Sequence, residues 1–297
     1  TIKQWIAEGA KWPEGIALRY KSPEELKAIA DLQAKLPTLK RLEILPEKFS
    51  LETKRDAHRV IVFATFQDAT TKDVSGLCDL KVVDPKIATL SGLDLKPVAD
   101  AGATELTATL GGQTVKAQIE VKGGQQDRPI SFRLDCMPVF MRGGCNQGGC
   151  HGAARGKDGF RTSLFGMDPA GDFIRITREM PGRRLNLAIP EESALIEKAV
   201  GAVPHSGNQC FEPDSIYNKT LIEWIANGAP DDRADVAKCT GIEVYPKQVV
   251  LEGKNATQKI TVRATYSDGT DRDVTNLALF MSNNDPTAAI SKDGLVT

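Results

Sequence analysis

The chain has little charge imbalance, few aromatics and no long apolar stretch. Among its 297 residues, 38 Lys and Arg stand against 39 Asp and Glu, a net charge of -1. That balance argues against a binder of nucleic acid or of an anionic membrane surface. No run of apolar residues approaches the roughly 20 needed to span a bilayer, so no membrane span is expected. Thr1-Ile2-Lys3-Gln4-Trp5 is no charged region leading into an apolar core, so no signal peptide opens the sequence. The expectation is an internal piece of a longer protein whose export signal lies outside it. Histidine is scarce: His58, His151 and His205 are the full set. Six cysteines are compatible with an oxidising compartment, where thiols are paired or used.

What is present centres on Arg142-Gly143-Gly144-Cys145-Asn146-Gln147-Gly148-Gly149-Cys150-His151-Gly152. Two thiols followed at once by a histidine read as a c-type haem attachment site, whose usual spacing is C-x-x-C-H. Here four residues, 146–149, separate the thiols, giving C-x4-C-H. Gly148 and Gly149 are expected to lend that longer spacer its backbone freedom. Two other readings stand beside this one. Cys145 and Cys150 would make a small disulfide loop, or the cluster would bind zinc, although adjacent residues seldom both ligate one tetrahedral ion and no clear second ligand pair follows.

Two repeats divide the chain. Gln4-Trp5-Ile6-Ala7-Glu8-Gly9-Ala10 returns as Glu223-Trp224-Ile225-Ala226-Asn227-Gly228-Ala229, each a helix end with glycine as its stop and a proline beyond. Residues 1–40 therefore read as the tail of a preceding cytochrome-like domain plus a linker helix opened by the capping box Ser22-Pro23-Glu24-Glu25 and running to Pro37. Residues 41–122 carry short β-branched runs: a strand over 59–66 and a hairpin of 106–110 and 115–121 around Gly111-Gly112. Leu42-Glu43-Ile44-Leu45-Pro46 returns as Ile242-Glu243-Val244-Tyr245-Pro246, and V-x-A-T-[FY]-x-D-x-T-x-x-D-V recurs from Val62 and from Val262. These pairs resemble bacterial Ig-like group 2 modules of exported and cell-surface proteins. The resemblance implies two all-β sandwiches, 41–122 and 241–297, the second incomplete.

Residues 123–240 lie between them. An amphipathic helix is expected from Pro190-Glu191-Glu192 through Leu195, Ile196 and Ala199, and a last helix from Pro213-Asp214 with Tyr217, Leu221, Trp224 and Ile225 as its stripe. Attachment motif, proline-containing loop and terminal helix follow the order of a class I cytochrome c, so this module is expected to be mainly α-helical. Phe140 through Gly152, Asp158-Gly159-Phe160-Arg161, Ser163-Leu164-Phe165-Gly166, Gly182-Arg183-Arg184-Leu185-Asn186 and Val203-Pro204-His205 together resemble the large planctomycete proteins that string cytochrome c domains with Ig-like modules. That resemblance implies one haem c despite the long spacer.

On it, Cys145 and Cys150 are the thioether links and His151 the proximal iron ligand. His205, in the loop where such a cytochrome presents its distal ligand, is the expected second axial ligand, with Met167 as runner-up; His58 is expected to be a solvated surface histidine. Arg142, Arg161 and Arg183, within a cluster that includes Arg155 and Arg184, are expected near the propionates, and Phe160, Phe165 and Trp224 on the pocket wall. Of the remaining cysteines, Cys78, Cys136, Cys210 and Cys239, the pair Cys136 and Cys210 ranks first for a disulfide.

The function that follows is electron transfer by an exported, periplasmic or cell-surface c-type cytochrome module and not an enzyme. Its partners would be redox proteins or neighbouring haem domains of the same polypeptide. Two alternatives come from other classes: a haem enzyme or gas or peroxide sensor with an open iron site, and a structural or adhesive surface protein.

Overall fold

The computed structural model describes residues 21–180, 182–254 and 256–297. The motif copy at residues 4–10 lies outside them. Helix α1 (Pro23–Gln33) opens on the expected capping box: Ser22 Oγ accepts from the Glu25 N–H at 3.2 Å and Glu25 Oε2 accepts from the Ser22 N–H at 2.8 Å. It ends at Gln33, short of Pro37.

Ten strands follow: β1 (Leu39–Leu45), β2 (Lys48–Leu51), β3 (His58–Arg59), β4 (Ile61–Phe66), β5 (Thr71–Asp73), β6 (Asp79–Val82), β7 (Ala88–Ser91), β8 (Asp94–Pro97), β9 (Gly102–Leu110) and β10 (Gln113–Val121). They form sheets ordered β1-β4-β5, β2-β10-β9-β6 and β3-β8-β7. One core lies between the first two: Leu42, Ile44, Val62 and Phe66 from one side meet Phe49, Leu51, Leu106, Ala108 and Ile119 from the other. Alternation along β9 and β10 sends every second side chain inward, which is what makes this sandwich closed. The β9–β10 hairpin turns on Gly111 and Gly112, φ +55° and +78°, a turn with both central residues in the left-handed region. The strand expected over 59–66 is interrupted at Val60. Before it the chain pairs with β8, after it with β1, so one apolar run serves two sheets.

The repeat is structural as well. Strands β11 (Cys239–Tyr245), β13 (Thr261–Tyr266) and β14 (Asp271–Asp273) pair in the order β11-β13-β14. Their register matches that of the first copy: Leu42↔Ala64 and Ile242↔Ala264, Phe63↔Asp73 and Arg263↔Asp273. Strands β12 (Gln258–Lys259) and β15 (Leu295–Val296) pair as β3 and β8 do.

The segment between the sandwiches departs from expectation. It is not mainly α-helical, and the described residues as a whole hold more strand than helix. A π-turn, Phe132–Cys136, runs into α2 (Met137–Arg142); α3 (Pro169–Thr177), α4 (Ala194–Ala199) and α5 (Ile216–Ala226) follow, joined by long loops. The physical reason is the glycine-rich stretch after α2. Gly144, Gly156 and Gly159 take positive φ, and Gly152 and Gly156 sit where an added Cβ would lie 2.1 and 2.2 Å from the backbone oxygens of Asn146 and Phe160. Such a stretch makes turns and not a helix. Pro190–Glu192 is a separate 3-10 turn before α4, and α5 is capped by Ser215, whose Oγ accepts from the Asn218 N–H, and not by Pro213-Asp214. As expected, Gly228 stops α5 with φ +87°. Leu221, Trp224 and Ile225 on its inner stripe are fully buried against Phe132, Phe140, Phe173 and Ile196.

Candidate functional site

The α2 helix delivers the cysteine–histidine loop, and backbone bonds fold that loop back on itself. The Cys145 N–H donates to Phe140 O at 2.9 Å, the His151 N–H to Cys145 O at 2.9 Å, and the Thr162 N–H to His151 O at 2.8 Å. Backbone freedom is used at Gly144, φ +73°, and at Gly152; Gly148 and Gly149 have ordinary φ, with only an ordinary contact to Leu164 at Gly148 and open space at Gly149, so the spacer does not depend on them as expected.

Beside this loop lies a cavity enclosing about 890 Å³ of space not filled by protein atoms, part of it open to solvent. Phe140, Ile176, Leu195, Phe211 and Leu221 give it an apolar wall, while Lys157, Arg183 and Lys198 bring positive charge to its lining. His151 and His205 both line it, with rings nearly parallel, 8° apart, and centroids 6.3 Å from each other. The Nδ1 of His151 is 3.1 Å from Phe160 O and that of His205 is 3.0 Å from Asn208 O. A carbonyl can only accept, so each Nδ1 carries the proton and each Nε2 keeps a lone pair. Burial also pushes the His151 pKa down, favouring the neutral, ligating form. Gly207 underlies the His205 ring, where a Cβ would lie 2.7 Å from Cε1.

The sequence-derived residues divide here. Cys145, His151, Phe160, Arg183 and His205 line the cavity; Cys150 adjoins His151 in the chain but is not part of the lining. Arg142 is spent elsewhere, donating to Ala278 O at 2.7 Å and pairing with Asp293 at 3.2 Å, which ties α2 to the second sandwich. Arg161 is exposed and donates to Ala154 O. Arg184 also lines the cavity, where it is buried as a strut, donating to Arg175 O and Gly159 O with its guanidinium 4.6 Å from the Phe160 ring centre. Phe165 and Met167 are 51% and 83% exposed and outside the lining, so the methionine alternative has no geometric support. Trp224 is a core residue whose Nε1 donates to Pro230 O. His58 is buried, not solvated, with an edge-on contact to Phe49.

All six cysteines are free thiols. Cys136 is sealed in the core of the middle segment and is not joined to Cys210, whose thiol neighbours that of Cys145. Among the described residues no group of three or more His, Cys, Asp or Glu converges on a metal position, so a closed zinc site is not formed. Sequence reasoning missed the apolar wall, the two lysines and Thr162, a buried cavity residue whose Oγ1 has no partner among the described residues. None of these carries a motif; folding alone gathers them.

The residues fit a haem c. Two imidazoles whose Nε2 atoms keep lone pairs line one apolar cavity with their ring centres 6.3 Å apart, a donor set that suits haem iron. Two thiols precede the first histidine, and an unpartnered hydroxyl and cationic side chains in the lining suit a group bearing carboxylates. No protein-family model matches the chain, and no curated protein matches it.

Proposed function

We propose that the middle segment carries one covalently attached haem c and works as an electron-transfer module. The observation that carries this reading is the parallel pair of His151 and His205 across an apolar cavity, directly after the Cys145–Cys150 thiols. Cys145 and Cys150 would form the thioether links, and His151 and His205 would close the iron from both sides. Bound there, the group supplies a one-electron couple between ferric and ferrous iron.

The chain's own residues do the rest. The carbonyls of Phe160 and Asn208 hold both imidazoles in the ligating tautomer. Phe140, Ile176, Leu195, Phe211 and Leu221 exclude water and lower the local dielectric. Lys157, Arg183 and Lys198, in the same lining, would meet the carboxylates. Were both His151 and His205 to ligate the iron, a carrier would be favoured over an enzyme with an open site. The resemblance to planctomycete cytochrome-and-Ig-like proteins supports the same reading, with the sandwiches as spacers. Redox partners would be neighbouring haem domains or separate proteins, and a haem c, attached outside the cytoplasm, puts the module in an exported setting. No helix among the described residues is long and apolar enough to cross a membrane.

The test is the visible spectrum of protein made in a host with haem c maturation machinery. A low-spin spectrum indifferent to carbon monoxide, with haem retained on the denatured chain, is expected. His205→Ala should turn it high-spin and carbon-monoxide-sensitive. A wild-type spectrum that shifts with carbon monoxide would favour the sensor or enzyme reading, and absence of covalent haem would sink the proposal.

A further inference from the structure

We propose that Cys145 and Cys210 form a reversible disulfide in the haem-free chain, which withholds the first attachment thiol until it is reduced. The gating role rests on the haem reading above; the disulfide itself does not.

Cys210 belongs to no motif, yet the fold brings it to the attachment loop. Its N–H donates to Ala199 O at 2.8 Å, anchoring it at the end of α4, while the Cys145 N–H is held by Phe140 O at 2.9 Å at the end of α2. Gly143 lies between them. A Cβ there would stand 3.3 Å from Cys145 Sγ and 3.4 Å from Cys210 Cβ, so the bare glycine leaves the two cysteines facing each other. Each thiol shifts the pKa of the other, Cys145 upward and Cys210 downward, and the Cys210 thiol also donates to Asn208 O at 3.9 Å.

The two sulfurs are not equivalent. Cys145 lines the cavity and is well enclosed, and the neighbouring Cys210 together with burial pushes its pKa up. Cys210 is half-buried, and the neighbouring Cys145 thiol pulls its pKa down to about 7, with Lys292 adding to the effect. Cys210 is therefore the attacking thiolate. It displaces one thiolate from an external disulfide, of the kind an oxidising compartment maintains, to give a mixed disulfide. Cys145, losing its proton, then attacks the Cys210 sulfur and releases the second external thiolate. Two protein thiols are oxidised and one external disulfide is reduced to two thiols. Attachment to a vinyl group needs an S–H to add across the double bond. A disulfide has none, so reduction of this bond must precede attachment at Cys145.

The full chain, exported from a host without haem c maturation, should be unfolded in iodoacetamide without reductant, digested and weighed. The expected product is a cross-linked peptide pair holding Cys145 and Cys210, lost on reduction, with Cys150 alkylated. Alkylated Cys145, or Cys145 linked to Cys150, would overturn the inference. In a maturing host, Cys210→Ala should raise the haem-loaded fraction several-fold without added reductant and leave the spectrum unchanged, and reductant should bring wild type to the same level. Equal loading throughout would overturn the gating role. If neither protein ever takes haem, the function above fails while the peptide map still decides the disulfide.

Discussion

Leu42 and Ile44 of the first sandwich are 4% and 3% exposed, whereas their counterparts in the repeat, Ile242 and Val244, are 66% and 37% exposed in the same strand and the same register. The first copy has the β2-β10-β9-β6 sheet to close over its apolar face, and among the described residues the second has only the β12–β15 pair. A strand pattern therefore specifies a face to be covered but not the cover. The second copy leans on its neighbours instead. Arg263 donates to Lys48 O at 2.7 Å, Leu277 packs on the core of the middle segment, and Asp273 accepts from the Arg59 N–H at 2.8 Å.

The largest effect expected from this contrast is on core truncation. Ile44→Ala should destabilise the first sandwich by about 2–5 kcal/mol, while Ile242→Ala, a surface change here, should stay within about 0.5 kcal/mol. Urea denaturation of both variants decides it, and equal losses would mean the second copy has a cover of its own.

Next come the paired aspartates. Asp73 Oδ1 accepts from Ser75 N–H and Oγ, and Asp273 Oδ1 accepts in the same way from Thr275; only Asp273 also accepts through Oδ2, from the Thr261 hydroxyl and the Arg59 N–H. Asp273→Ala leaves the Arg59 N–H unpaired and the Thr261 hydroxyl with only Thr275 Oγ1, so it should cost about 1–3 kcal/mol more than Asp73→Ala. Thermal melts of the two variants side by side would blunt the comparison if they coincide.

The smallest is a pH slope at His58, whose place in the repeat is held by Gln258. His58 is buried and its pKa is lowered chiefly by that burial, against the pull of Asp273, Asp271 and Asp56 and with the help of Arg263. The unfolded chain then binds a proton that the folded chain refuses. Stability is full above the unfolded pKa of about 6.5 and falls as pH drops below it toward the folded value, by at most about 1.4 kcal/mol per pH unit. His58→Gln, the residue the repeat itself uses, should flatten that slope in denaturation curves taken from neutral to mildly acid pH. An unchanged slope would show that His58 does not carry it.

Much of the fold was legible beforehand because local chemistry writes it. The capping box of α1, the Gly111-Gly112 hairpin, the repeat register and the glycine stop of α5 each depend on a few neighbouring residues. In the site, Cys145, Cys150, His151 and His205 stood out through spacing and scarcity. What misled was any inference about a side chain's surroundings. Arg142 looked like a ligand contact and is a tie to Ala278 and Asp293; Trp224 looked like a pocket wall and is the centre of a core; His58 looked solvated and is buried. The middle segment looked helical through its apolar stripes, but glycines held in positive φ or against backbone oxygens turn the chain before a helix can form.

The sequence by itself determined the β repeat, the thiol–thiol–histidine motif and the short roster of imidazoles, because these rest on residue identity and spacing. Only the tertiary structure decided that His151 and His205 face one cavity with parallel rings, that Cys210 meets Cys145 and not Cys136, and that one copy of the repeat is covered while the other is not. Each of those is a meeting of segments distant in the chain, set by how apolar faces close on one another and by the space the closing leaves.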